Sequence, residues 1–298
     1  MNIDSPSIFV HSDELDSRTS DIDFSKDHGV LVTDQGTLYT WGINMYNKLG
    51  HIQEIVENTP YKRKIPRGGH ELVKFSKITL PENKKAISAK CGYNHTICLD
   101  EDGNVYSWGY GKDGALGHQD YENVSHPQKI KYFEENKIKI IKIESGDYFT
   151  MALCNQGKIY TWGQNNYGQL GLGKVSQQIK VNKPTKVNFS NKTQVKEIFA
   201  GEDHCACITE DAEGFVWGYG LDGRLGNRRK MNQNVPVKLG LDKIKKISCG
   251  GHHTAILTVN GELYMCGNGR DGELGRGDLL ESQSVIRDEA LIVINIFT

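Results

Sequence analysis

The chain has 298 residues, and its 36 Lys and Arg against 37 Asp and Glu give a formal net charge of −1. This balance produces no global positive field, which argues against nucleic-acid binding as the main function. The 33 glycines far outnumber the 7 prolines, which indicates many tight turns in a folded chain. The length is about twice the ~150 residues typical of one domain, so two domains or one large architecture would fit.

The N-terminal region is acidic. Residues 4–27 hold seven Asp and Glu against Arg18 and Lys26, a net charge of −5. Residues 1–21 are therefore set apart as an acidic N-terminal segment. The segment has no basic stretch followed by an apolar one, so no secretory signal is predicted.

A repeat begins after this segment. The dipeptide Trp-Gly occurs four times, and a fifth copy reads Cys266-Gly267; the four tryptophans are Trp41, Trp108, Trp162 and Trp217. The residues 13 positions before each copy are His28, His95, Phe149, His204 and His253. The residues 8 positions after each copy begin a Leu-Gly pair, at Leu49, Leu116, Leu170, Leu225 and Leu274. Five copies keep both spacings, which chance does not produce.

Each copy has the local pattern of a β-hairpin. Small, β-branched and apolar residues precede a turn signal such as Asp102-Gly103, and a short strand leads to the Trp. The fourth copy departs from this pattern, because Ala212 replaces the turn glycine and Gly214 replaces an apolar strand residue. We expect a poorer turn there.

Units of about 50 residues with a hairpin, an aromatic residue and a Gly-rich corner are typical of propeller blades. The predicted fold is all-β, a β-propeller of four-stranded blades that forms a single domain over residues 22–298. Five repeats are legible. Each Trp is expected to be wedged between neighbouring blades, where it buries 150–250 Å².

The end of the chain and its cysteines add little chemistry. The longest apolar run, from Ala290 to Phe297, is far shorter than the ~20 residues that cross a bilayer. The seven cysteines form no C-x-x-C pair, so neither a zinc site nor a disulfide framework is predicted. We expect no cofactor, no bound metal, no transmembrane segment and a reducing cytoplasmic compartment, although a protein exported by a non-classical route would look the same.

The motif resembles that of the regulator of chromosome condensation repeat family. The resemblance rests on G-x-x-H, then Trp-Gly, then Leu-Gly, as in Gly92-x-x-His95, Trp108-Gly109 and Leu116-Gly117. Rings of this family usually have seven blades, so five to seven blades are open here. In a ring of this kind, residues 1–21 would supply a closing strand and residues 291–294 would begin a sixth blade.

Candidate binding residues precede the repeated His. The residues in this position vary between copies and would converge on one face of a ring; they are Asp27, Asn94, Tyr148, Asp203 and His252. The resemblance implies that the turns around Asp203 and around His252 and His253 contact a small GTPase. The repeated His itself, as in His95 and His204, is interpreted as structural, because Phe149 replaces it in one copy.

Two functions fit the sequence. The resemblance implies a guanine-nucleotide exchange factor for a small GTPase, Ran or a relative, in which polar side chains displace nucleotide without covalent chemistry. The alternative is a non-catalytic scaffold whose faces bind proteins or lipid headgroups. A basic insertion at Tyr61–Arg67 is either a solvated loop or a partner-binding arm.

The origin and the assembly state are weaker expectations. The Lys-, Asn- and Ile-rich composition indicates an AT-rich genome, and intracellular bacteria with such genomes export repeat proteins of this kind into host cells. We expect a monomer that does not bind DNA.

Overall fold

The computed structural model describes residues 15–51, 72–173, 179–189, 193–275 and 282–287. They form five antiparallel sheets of four strands each, one sheet per repeat. The fold prediction is therefore confirmed: the chain is an all-β array of four-stranded propeller blades. The acidic segment before residue 15, the insertion Tyr61–Arg67 and the apolar run 291–294 lie outside the described residues.

The strands follow one another in space as they do in sequence. Blade 1 comprises β1 (Thr19–Phe24), β2 (His28–Thr33), β3 (Leu38–Ile43) and β4 (Leu72–Ile78). Blade 2 comprises β5 (Ala86–Cys91), β6 (His95–Asp100), β7 (Val105–Gly109) and β8 (Val124–Lys129). Blade 3 comprises β9 (Ile140–Ser145), β10 (Phe149–Cys154), β11 (Ile159–Gln164) and β12 (Lys180–Lys186).

Blade 4 comprises β13 (Val195–Ala200), β14 (His204–Thr209), β15 (Gly214–Gly218) and β16 (Gln233–Lys238). Blade 5 comprises β17 (Ile244–Cys249), β18 (His253–Thr258), β19 (Leu263–Gly267) and β20 (Ser282–Arg287). One α-helix, α1 (Lys131–Glu135), follows β8, and short 3-10 helices lie at Met45–Asn47 and Pro81–Asn83. The boundary predicted at residue 22 falls inside β1, so blade 1 starts before it.

The core lies between the blades. The first strands of consecutive blades contact one another, β1 with β5, β5 with β9, β9 with β13 and β13 with β17. The second strand of each inner blade is covered on both faces, and all six residues of β6, β10 and β14 are buried. Small and apolar residues fill these strands because a neighbouring blade covers each face.

Tryptophan side chains form the junctions between blades. Trp108, Trp162 and Trp217 are each 0% exposed. The indole of Trp162 donates a hydrogen bond to the carbonyl of Ala115, 2.8 Å away in the corner of blade 2. The corner residue Gly117 has a φ of +76°, and a Cβ there would lie 2.8 Å from the indole nitrogen of Trp162. The Leu-Gly pair therefore ends in glycine because the next blade's Trp occupies that space.

Trp41 of blade 1 has a different environment. It is only half-buried, and its ring lies over Gly29 of its own blade, where a Cβ would come within 2.4 Å. Phe24 and Phe75 contact the indole, with ring-centroid distances of 5.6 and 5.2 Å. Blade 1 thus covers its Trp with its own aromatic side chains, since no described blade precedes it.

Truncating a junction tryptophan should destabilise the protein strongly. We expect Trp108→Ala to lower the free energy of unfolding by about 3–5 kcal/mol, the typical cost of removing a fully buried aromatic side chain. Trp41→Ala is the matched control and should cost clearly less, because that indole is half-exposed. Urea denaturation measures both, and equal costs would show that the indole is not a junction wedge.

A histidine and a threonine join the same junctions. The Nε2 atom of His95 lies 3.2 Å from the hydroxyl of Thr150 in the next blade, and that hydroxyl donates to the carbonyl of Ala115 at 2.9 Å. His28 with Thr96, and His204 with Thr254, repeat the arrangement at 3.2 and 2.8 Å. Because each Thr hydroxyl gives its proton to a carbonyl, it accepts from the imidazole.

Among the junctions between described blades, one lacks histidine, and there both partners differ from the others. Phe149 fills the His position of blade 3, and Cys205 fills the Thr position of blade 4. Both residues are 0% exposed and belong to one core cluster, and the Cys205 thiol lies 3.2 Å from the carbonyl of Gln169. The repeated His thus forms a hydrogen bond between blades.

The buried histidines should make stability fall in acid. Burial lowers the pKa of His95 to about 4 and that of His204 to about 3. The unfolded chain takes up protons near pH 6.5 and the folded chain does not, so stability is complete above pH 6.5 and falls as the pH drops towards 4.

Replacing one His–Thr pair should weaken this pH dependence. The double variant His95→Phe/Thr150→Cys copies the Phe149–Cys205 junction, and it should recover ~2 kcal/mol of the stability that the parent loses between pH 7.5 and pH 5. Urea denaturation at both pH values measures the difference. His126→Asn, at an exposed position, should keep the parental dependence. An unchanged dependence in the double variant would contradict the role assigned to His95.

The turn of blade 4 is strained. Its residue Ala212 has a φ of +60°, whereas the equivalent turns use glycine, as at Gly103 (φ +89°) and Gly157 (φ +67°). A left-handed conformation costs a residue with a Cβ about 1–2 kcal/mol. This is the poorer turn that the sequence predicted.

Ala212→Gly should therefore stabilise the protein. We expect a gain of about 1 kcal/mol, because glycine adopts positive φ without the steric cost. Gly103→Ala in blade 2 is the reciprocal control and should destabilise. Thermal denaturation of both variants tests the assignment, which fails if both changes shift the melting temperature in the same direction.

Candidate partner-binding face

One end of the blades carries the variable residues of the repeat. Because the strands of a blade are antiparallel, the turns between first and second strands lie at the same end as the connections between third and fourth strands. Each first turn holds one of the residues in front of the repeated His. Each connection holds the corner between Trp-Gly and Leu-Gly. These segments from five blades form the candidate face.

Backbone hydrogen bonds connect the turns of neighbouring blades. The amide of Tyr93 in blade 2 donates to the carbonyl of Asp147 in blade 3 at 2.8 Å, and the amide of Asp147 donates to the carbonyl of Glu202 in blade 4 at 3.1 Å. The first turns of blades 2, 3 and 4, around Tyr93, Asp147 and Glu202, thus form a connected collar, which restrains the relative positions of their side chains.

Asp27 is already paired inside the protein. Its carboxylate accepts a hydrogen bond of 2.5 Å from the ammonium group of Lys48, which is fully buried and also donates to the carbonyl of Tyr93 at 3.1 Å. Asn94, the equivalent residue of blade 2, is half-buried, and its carbonyl accepts the amide of Tyr110. Lys48 therefore links blade 1 to blade 2 through Tyr93, and it pairs with the charge of Asp27.

Aromatic side chains contribute to the same face. Tyr148 is half-buried and packs on Tyr93, with ring centroids 5.5 Å apart. Burial raises the pKa of the Tyr148 phenol to about 12, so the hydroxyl stays protonated and can donate a hydrogen bond.

Carboxylates with few internal partners lie beside Tyr148. Burial, followed by the charges of Glu202 and Asp203, raises the pKa of Asp147 to about 7. Burial also raises the pKa of Asp203, whose carboxylate accepts a hydrogen bond of 3.4 Å from the amide of Gln169. Within the described residues, neither Asp147 nor Asp203 has a basic nitrogen within 4.0 Å. This part of the collar is therefore an acidic surface whose two carboxyl groups are not paired with a basic side chain of the described residues.

Arg224 supports the next section of the face. It is 2% exposed, and its guanidinium contacts both carboxylate oxygens of Asp222, with the shortest distance 2.6 Å. It also donates to the carbonyl of Gly251 at 2.6 Å and lies 4.5 Å from the ring centre of Tyr219. The exposed His252 contacts this guanidinium through Nδ1 and lies 3.5 Å from Glu202 through Nε2.

A cavity of about 600 Å³ opens between blades 3, 4 and 5 at this point. Its lining includes Asp203 and His252, which the sequence had singled out, together with Tyr167, Tyr219 and Arg224. His253 occupies the position of the repeated His in blade 5, is half-buried, and does not belong to the residues that line this cavity. The structure therefore places Asp203 and His252 together and His253 apart from them.

Several residues of the face were missed by the sequence reasoning. Asp147 and Glu202 lie one position before the predicted residues, so the same repeat register contained them. Tyrosine pairs also cross two junctions, with centroid distances of 4.5 Å for Tyr46 and Tyr110 and 4.9 Å for Tyr167 and Tyr219. Their spacing of five and two residues after the Trp is visible in the sequence, but the contact between blades is not.

The described residues contain no group of three or more His, Cys, Asp or Glu side chains arranged to hold a metal ion. Among them there is also no helix that is long and apolar enough to cross a membrane. The described cysteines are buried or half-buried, and burial raises the pKa of Cys266 to about 12. This thiol is therefore not a nucleophile near neutral pH.

The four-stranded blades, the Trp junctions and the collar of variable turns define a propeller of the repeat type. Residues 4–294 match the RCC1-like domain family. The chain belongs to this family, as its repeat motif indicated.

Relatives in the family have different names and lengths. The chain is 32% identical over 210 residues to the ultraviolet-B receptor UVR8 of Arabidopsis thaliana, covering 70% of this chain and 43% of the receptor. It is 28% identical over 209 residues to the human RCC1-like G exchanging factor-like protein, covering 70% and 42%. The crystal structure of human WBSCR16 superposes with a TM-score of 0.76 at 27% identity, covering 91% of this chain and 67% of that one. The chain thus spans less than half the length of the receptor and of the exchanging factor-like protein.

Proposed function

We propose that the chain promotes nucleotide release from a small GTPase of the Ran type through the collar of turns. The observation that carries the proposal is the pair of half-buried carboxylates, Asp147 and Asp203, for which the described part of the chain supplies no cation within 4.0 Å. Such groups have paid part of their desolvation cost and gain most from a partner's Lys or Arg. The name of the human exchanging factor-like relative supports the same direction.

The proposed mechanism needs no covalent step. A GTPase that binds the face more tightly without nucleotide than with it loses nucleotide affinity by the same factor, because the two binding equilibria are linked. The collar suits this role because hydrogen bonds between turns hold Asp147 and Asp203 in place, so little ordering is required when the partner binds.

A scaffold function is the second candidate. The ultraviolet-B receptor is at least as similar to the chain as the exchanging factor-like relative, so membership of the family does not define an exchange activity. A scaffold would use the same face to hold a partner without changing its nucleotide affinity.

Nucleotide release from a panel of small GTPases, including Ran, tests the proposal. Each GTPase is loaded with a fluorescent GDP, and the chain should accelerate release from at least one member by 10-fold or more. Binding without acceleration would favour the scaffold, and an absence of both would exclude a GTPase partner from the panel.

Asp203 should be needed for exchange and dispensable for folding. We expect Asp203→Ala to slow exchange at least 10-fold, which corresponds to about 1.4 kcal/mol of transition-state stabilisation, with a melting temperature close to that of the parent. Asp211→Ala, at an exposed turn on the opposite end of the same blade, is the control and should exchange normally. Parental exchange by Asp203→Ala would place the active surface elsewhere.

A further inference from the structure

The corner loops of blades 2 and 4 have the same backbone. The amide of Gly111 donates to the side chain of Asn123 at 2.9 Å, and the amide of Gly220 donates to the side chain of Asn232 at 3.1 Å. Eight residues after each glycine stands a residue with positive φ, Gln119 at +70° and Arg228 at +63°. The two loops can therefore be compared position by position.

Their side chains have opposite chemistry. In blade 2, Lys112 and Glu122 form an exposed ion pair with a nitrogen–oxygen distance of 3.0 Å. The same two positions in blade 4 hold Leu221 and Met231, which are 51% and 50% exposed. Where blade 2 has an exposed ion pair, blade 4 thus has two exposed apolar side chains.

The charge of the loop is reversed as well. The residues that precede Glu122 in blade 2 are Gln119, Asp120 and Tyr121, whereas those that precede Met231 are Arg228, Arg229 and Lys230. All three of these basic residues are exposed. We call Leu221 and 228–231 the blade-4 tip. It is an apolar pair beside three cations, in a chain whose net charge is only −1.

Exposed apolar side chains that the fold does not require indicate an interaction surface. Leu221 also lines the cavity of about 600 Å³ described above, and its neighbours there include Tyr167, Tyr219 and the exposed Arg270. Tyr, Met and Arg are the residues enriched at protein–protein interfaces. A protein segment can fill such a concave surface, whereas a flat bilayer cannot.

We propose that the blade-4 tip docks an acidic segment of a partner protein. An apolar side chain of that segment lies between Leu221 and Met231, and its carboxylates face Arg228, Arg229 and Lys230. The docking uses none of the collar carboxylates, and Leu221 lines the same cavity as Asp203. It supplies a second contact that selects partners by the charge of a peptide segment.

Blade 2 provides the test variant. Leu221→Lys/Met231→Glu installs the natural Lys112–Glu122 pair on the same backbone, so the protein should fold with parental stability. Lys112→Leu/Glu122→Met is the reciprocal control, which leaves the blade-4 tip intact. A displayed library of random dodecapeptides is selected on the parent at 150 mM salt, and the binding of selected peptides to each variant is measured.

The parent should select peptides in which Asp and Glu flank Leu, Ile or Phe. These peptides should bind Leu221→Lys/Met231→Glu at least 10-fold more weakly and bind the reciprocal control like the parent. The proposal fails if no selected family distinguishes parent from variant, or if the selected peptides are basic. If the parent binds a poly-glutamate peptide as tightly as the selected peptides, the proposal is also overturned, because charge alone would then explain the binding.

Reversal of the three cations separates this proposal from lipid binding. Arg228→Glu/Arg229→Glu/Lys230→Glu should abolish peptide binding, and peptide binding by the parent should weaken as salt rises. Vesicles of phosphatidylserine and phosphatidylcholine are the second probe. If vesicles bind through the blade-4 tip and no peptides are selected, the ligand of the tip is a membrane surface and not a protein segment, and the proposal is overturned.

Discussion

The contact between one blade and the next is the constraint on which the structure depends. The contact joins unlike sides. Between blades 1 and 2, and between blades 2 and 3, the earlier blade supplies the His, the corner carbonyl and the corner glycine, and the later blade supplies the Thr and the Trp. The buried indole gives the contact its apolar area, and the polar groups fix its register because a misplaced junction would leave a buried imidazole or carbonyl without a partner. The collar inherits its geometry from these contacts.

Contacts between the corners and the turns also determine which charged residues of the face have a partner inside the protein. Corner side chains that precede the Leu-Gly pair reach the turns of the face: Lys48 pairs with Asp27, and Arg224 reaches the carbonyl of Gly251. In blade 3 the equivalent residue is Gln169, which carries no charge and reaches Asp203 at 3.4 Å. Within the described residues, Asp203 therefore has no basic nitrogen within 4.0 Å, whereas Asp27 is paired with Lys48.

The sequence predicted the architecture well because the same spacing recurs in five copies, so that each copy is independent evidence for a blade. The fixed spacing between His, Trp and Leu was enough to locate the blades, the junction tryptophans and the strained turn at Ala212. The candidate site could be predicted only in part. Asp203 and His252 do line one cavity, but the pairing of Asp27 with Lys48 joins residues 21 positions apart, and the edge-to-face contact of Tyr167 with Tyr219 joins two blades. Neither contact has a periodic signal, since each depends on how the blades are oriented.

The paired replacement of His and Thr by Phe149 and Cys205 has a consequence for how such chains evolve. The two residues belong to different blades, so a single change on one side leaves a buried polar group unmatched until the other side follows. Whole blades can be duplicated freely when their two sides carry matching groups, because the new copy meets its neighbours through chemistry that already exists. Once one junction has diverged, the blades on either side of it are no longer interchangeable with the others. The Phe–Cys junction therefore marks a point in the array where recombination between repeats has become restricted.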